Sequence, residues 1–205
     1  NYDEKYPLTE TSVGGVGNVR WRQMIQSYIK SSQVFACPSN TRNSVNFDNA
    51  AGNYPAIPVS YAANEHIMAE QDGRSMSSIS SPSTRIMVVE TIDDPTFGVW
   101  TPAVGYIGSP WAGNGNFLKA GNVPMLFAGH MGTSNYLFAD GHVKALRPTK
   151  TMSPMNMWGR FDPQGDSDGA GCGAGSGFLP YRNPDCETPV ASVLSALQVV
   201  ESYYQ

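Results

Sequence analysis

Three histidines and one turn-forming aspartate are the first residues in which this sequence could carry chemistry. The stretch "GHMGTSNYLFADGHVKAL", residues 129–146, holds His130 and His142, with nine residues between His130 and the pair Asp140-Gly141. With His66 added, His130, Asp140 and His142 supply imidazole and carboxylate groups, which are ordinary zinc ligands. No pair among them has the i, i+4 spacing of a helical zinc motif, and Asp140 is already accounted for as a turn residue. The spacing therefore predicts structural roles: His142 exposed, and His130 held by hydrogen bonds near the start of a strand, its function unassigned.

Three further carboxylates, Asp162, Asp166 and Asp168 in "DPQGDSDG", place hard oxygen ligands on a glycine-containing loop, which suits calcium. The loop lacks a third ligand position and the closing glutamate of an EF-hand, so a solvated acidic loop is the competing reading. Nucleophilic hydrolysis finds no support: there is no G-x-S-x-G elbow, and Cys37-Pro38-Ser39 matches no nucleophile motif. The glycines of "TSVGGVGNVR" lack the Lys-Ser/Thr of a phosphate-binding loop. No catalytic residue is expected.

Of the three cysteines, Cys172 and Cys186 flank an irregular Gly/Pro segment that a disulfide would staple. Cys37 is then left over, as a small buried hydrophobe or as partner to a cysteine outside this sequence.

These groups must be held by recognisable elements. Trp21, Met24, Ile25, Tyr28 and Ile29 recur at helical spacing in "NVRWRQMIQSYIK", with Asn18 as a candidate N-cap. "SQVFACPS" reads as a short strand and "RIMVVET" as a buried one, while "PVSYAANEHIM" gives another short ordered piece. In "TPVASVLSALQVVESYY", Thr188 as N-cap and Pro189 at the first helical position open a helix with Val190, Val193, Leu194, Leu197 and Val200 on one face. Taking Asp140-Gly141 as a two-residue hairpin loop pairs Phe138 with Val143 and Tyr136 with Ala145, and puts Tyr136, Phe138, Val143 and Ala145 on one apolar face.

Composition limits what such elements can build. The 205 residues are 40% hydrophobic and only 15% charged, with 21 Gly and 15 Pro, which describes one loop-rich globular domain. A net charge of -4 without any basic cluster leaves no footprint for nucleic acid. Apolar runs such as "IMVVE" are far too short to cross a bilayer. Residues 93–124 read as a loop insertion anchored by Trp100 and Trp111, and 148–205 as a C-terminal extension.

His130, the nine residues "MGTSNYLFA", Asp140-Gly141 and the trailing "HVKAL" together resemble the prepilin-type processing-associated H-x9-DG family of pseudopilin-like proteins. "NYDEKYP", "YIKSSQVFACPSN", "SYAANEHI" and "ISSPSTRIMVVET" are similar, in order, to other stretches of that family. The resemblance covers scattered points over residues 2–147 and implies a pilin-like α+β head, in which an N-terminal helix, mostly outside this sequence, packs on an antiparallel sheet. It further implies a cleaved leader, a hydrophobic helix anchored in the inner membrane, and other pilin or pseudopilin subunits as partners. Function would be structural and non-catalytic, within a type II secretion or type IV pilus-like assembly at the cell envelope, and the calcium held by major pseudopilins adds slightly to that reading of the acidic loop. The alternative is a secreted carbohydrate-binding or hydrolase domain that uses Trp100, Tyr106 and Trp111.

Overall fold

The computed structural model describes residues 4–15, 17–41, 47–48, 52–64, 66–68, 73–92, 106–107, 117–161 and 183–205. In chain order its elements are β1 (Glu10–Val13), β2 (Gly17–Arg20), α1 (Trp21–Ile25), β3 (Phe47–Asp48), β4 (Ile57–Pro58), β5 (Tyr61–Asn64) and β6 (Ile86–Glu90). There follow β7 (Tyr106–Ile107), β8 (Leu118–Lys119), β9 (Val123–Pro124), β10 (Ser134–Phe138), β11 (Val143–Leu146) and α2 (Ala191–Tyr203).

Strand β6 is the spine, and its uninterrupted "IMVV" follows from having both faces covered. It lies inside a five-stranded sheet of order β11-β10-β6-β5-β7, antiparallel except for the parallel pair β5 with β7. Alternation, shifted by one residue at the irregularity that pairs Leu137 with Val88 but Phe138 with Ile86, sorts the side chains between two cores. On one face Ala62, Ile86, Val89, Tyr136 and Phe138 meet Trp158, Phe161 and the Val193, Leu197, Val200 stripe of α2. On the other, Ala63, Val88 and Leu137 meet Trp21, Phe35, Ile57 and Tyr6. The class is α+β, and the long helix packed on the sheet is the C-terminal one.

Several expectations are corrected. The N-terminal helix shrinks to five residues, and Asn18 is no N-cap: it sits in β2 opposite Ser12. The β1–β2 hairpin claims residues 17–20 for its own ladder, and the Trp21 N–H donates to the Thr9 carbonyl at 2.9 Å. Trp21 keeps its place in the core, but Tyr28 is 87% exposed. "SQVFACPS" forms a 3-10 turn over Ser32–Phe35 rather than a strand, because the Ser31 hydroxyl accepts the Gln33 N–H and stabilises a turn locally. Helix α2 appears as expected but starts at Ala191. Thr188 and Glu187 stay ahead of the helix, their carbonyls accepting from the Asn156 side chain and backbone N–H respectively.

The Asp140-Gly141 hairpin forms with a different loop. Gly141 N–H donates to the Phe138 carbonyl, Phe138 N–H donates to His142, and Gly141 has φ +92. That is a three-residue loop with glycine in the bulge position, and it pairs Leu137 with Val143 and Tyr136 with Lys144. A one-residue slip moves every β11 side chain across the sheet. Val143 therefore leaves the expected core and is 64% exposed, whereas Tyr136 and Phe138 remain buried.

Residues 148–161 and 183–203 supply much of the first core. Buried Asn64 donates to the carbonyls of Ile86 and Trp158, and Trp158 Nε1 donates to Thr151 Oγ1 at 2.8 Å, so this part of the chain is hydrogen-bonded into the sheet. Among the described residues no helix is long and apolar enough to cross a membrane.

Candidate functional site

Three segments far apart in sequence meet at the end of β6. Glu90 is the last residue of that strand, an acid closing an apolar run, and its side chain is only 1% exposed. Cys37 arrives from the turn after the Ser32–Phe35 segment, where the Asn40 N–H donates to the Cys37 carbonyl and Pro38 prevents continuation. His130 comes from the tight turn ahead of β10. There His130 and Thr133 exchange backbone hydrogen bonds at 3.3 and 3.1 Å, and Thr133 Oγ1 donates to the His130 carbonyl. Met131 and Gly132 adopt φ of +56 and +77 to close this turn, which explains the "HMGT" sequence.

The local backbone aims the imidazole. Phe127 packs edge-on against the His130 ring at 5.4 Å between centroids. A Cβ at Gly129 would lie 2.3 Å from Phe127 Cζ, so glycine is what lets that ring approach.

His130 Nε2 lies 2.8 Å from Glu90 Oε1 and 3.6 Å from Cys37 Sγ. Glu90 Oε2 accepts from the Asn135 backbone N–H at 2.7 Å and from Asn135 Nδ2 at 3.2 Å. The β10 backbone thus fixes one carboxylate oxygen and leaves the other facing His130. Cys37 is a buried thiol, and burial pushes its pKa up; the Glu90 charge and hydrogen bond add to this, while the Ser39 and Asn40 amides oppose it. Tyr61, across the strand pair from Glu90, is pushed up to about 12 by burial first and by the charges of Cys37 and Glu90 next.

This arrangement is not that of a catalytic triad. A catalytic triad needs the acid on one imidazole nitrogen and the nucleophile on the other. Here both neighbours address Nε2, so a proton directed at Glu90 leaves no lone pair there to take the thiol proton. A thiol whose pKa is raised is also a poor nucleophile at neutral pH.

The residues singled out in the sequence are dispersed. Asp140 and Gly141 occupy the hairpin tip at the far end of β10 from His130. Asp140 Oδ1 contacts His142 Nδ1 at 2.6 Å, and the His142 ring stacks on Phe138 at 4.3 Å, so His142 is exposed as expected. His66 is buried beside Phe161. His66, His130, Asp140 and His142 form no common ligand set; among the described residues the group that does is Cys37, Glu90 and His130. Asp162, Asp166, Asp168, Cys172, Trp100 and Trp111 lie outside the described residues, as does the side chain of Tyr106. Cys186, the expected partner of Cys172, is buried and disulfide-bonded. Glu90 escaped the sequence reading, and its one signal was an acid ending the apolar run of "RIMVVET".

A second feature is an apolar groove of about 510 Å³ on the sheet face opposite α2. Val88, Leu137 and Val143 form its floor and edge, and Trp21, Ile25 and Ile29 form a wall. No protein-family model, curated protein or solved structure matches the chain significantly.

Proposed function

We propose that this chain is the head of a pseudopilin-like, non-catalytic subunit of a type II secretion or type IV pilus-like assembly in the cell envelope. The observation that carries this reading is the groove. A sheet with one face covered by α2 carries an open apolar trough on the other, lined by Ile25, Ile29, Leu137 and Val143. An amphipathic or apolar helix lying on a sheet would bury such a trough, which is how a pilin-like anchor helix meets its head. The resemblance of "F-A-C-P", "RIMVVET" and H-x9-DG to one family supports the same reading, because those stretches meet in space through Cys37, Glu90 and His130. Partners would be further pilin or pseudopilin subunits, reached through that helix.

The gene sequence upstream of Asn1 tests it, with fractionation of the full-length product. The expected finding is a leader ending in glycine before a phenylalanine, then about 20 apolar residues, and recovery of the product with the inner membrane. An ordinary signal peptide directly before this domain, with a product released from cells, would overturn it.

A further inference from the structure

We propose that Cys37, Glu90 and His130 form a three-ligand binding site for a borderline-soft divalent cation of the zinc class, with one coordination position left to solvent. One sulfur, one imidazole nitrogen and one carboxylate oxygen lie within 4.8 Å of one another. Thiolate, imidazole and carboxylate are the three side-chain ligands that zinc accepts, and three protein ligands plus an open fourth position is a recurrent zinc arrangement.

The two separations from His130 Nε2 fit with little movement. Bond lengths of about 2.3 Å to sulfur and about 2.05 Å to nitrogen or oxygen imply tetrahedral edges of about 3.6 Å for S to N and about 3.3 Å for N to O. Cys37 Sγ is already 3.6 Å from His130 Nε2. The His130 to Glu90 separation of 2.8 Å would have to open by roughly 0.5 Å. Convergence of both neighbours on the single nitrogen Nε2, which disqualifies a proton relay, is the arrangement a shared ion requires.

The surroundings are those of a held ligand set. Outer hydrogen bonds normally orient metal-binding carboxylates, and here Asn135 takes Glu90 Oε2 from two donors and presents Oε1 to the site. An almost fully buried carboxylate is costly unless paired with a cation or well hydrogen-bonded. The His130 side chain is 30% exposed, which gives an ion an approach from solvent. Bound there, the ion would clip together the Cys37 turn, the end of β6 and the turn before β10. This goes beyond the proposed pseudopilin role and does not depend on it.

The test titrates chelator-treated protein with Zn²⁺ alone and Co²⁺ alone. Expected are one equivalent bound, a melting temperature that rises with Zn²⁺, and a thiolate-to-cobalt absorption band in the near ultraviolet. Cys37→Ser should abolish the band, and His130→Ala should weaken binding at least about ten-fold, while Asp140→Asn leaves both unchanged. If Cys37→Ser does not fold, slowing of Cys37 alkylation in the parent by Zn²⁺ takes its place. A folded parent with no melting shift at millimolar Zn²⁺ would overturn the proposal. So would binding without the cobalt band, or alkylation unaffected by metal, since each puts the ion away from Cys37.

Discussion

Asp140 has its partners within its own turn: the His142 N–H and the His142 ring. Slight burial pushes its pKa up, but those hydrogen bonds and the His142 charge outweigh it, and the carboxyl titrates below its ordinary value. A carboxylate depressed on folding contributes stability that is present above its unfolded pKa and lost as pH falls through the folded one. Urea midpoints from about pH 6 to about pH 2 should therefore fall less for Asp140→Asn than for the parent. The difference should stay within about 1 kcal/mol because the pair is partly exposed. Glu90 lies at the other extreme of burial, and its two oxygens are hydrogen-bonded by β10 and by His130. Glu90→Gln keeps the shape but removes the acceptor charge, with an expected loss of about 1–3 kcal/mol in denaturant unfolding.

The β10–β11 hairpin yields the sharpest test at the scale of an element. With Gly141 at the bulge, Val143 faces outward beside the groove, and Val143→Ser should change stability by no more than about 0.5 kcal/mol. The two-residue loop would bury Val143, and the same substitution would then cost about 2 kcal/mol; chemical denaturation separates the two. Gly141→Ala should lose about 1 kcal/mol or a little more from positive φ alone, since nothing lies within 4 Å of an added Cβ. "ADG" announces a turn, but both loops satisfy it, and the one formed has Gly141 at positive φ and pairs Leu137 with Val143. The start of α1 has a similar cause: its candidate cap lies three residues earlier, yet Asn18 and Arg20 are taken by the β1–β2 ladder and the helix begins at Trp21.

For the molecule as a whole, the sheet holds two unequal cores together. Leu197 is fully buried between α2 and the sheet, in the cluster that also holds Trp158 and Tyr136. Leu197→Ala should cost about 2–5 kcal/mol, read as a cooperative loss in thermal melting followed by near- and far-ultraviolet circular dichroism. The α+β class was what the family resemblance implied; by itself the sequence determined β6 as a buried strand, α2, the existence of the hairpin and the burial of Tyr136 and Phe138. Each of these is written in local periodicity or turn chemistry, over enough residues to outweigh competing local choices. Tertiary structure alone decided the hairpin register and the outward facing of Val143. It also decided the meeting of Cys37, Glu90 and His130, residues separated by 53 and 40 positions. No local pattern encodes such a meeting, because it follows from which strands pair and where each one ends.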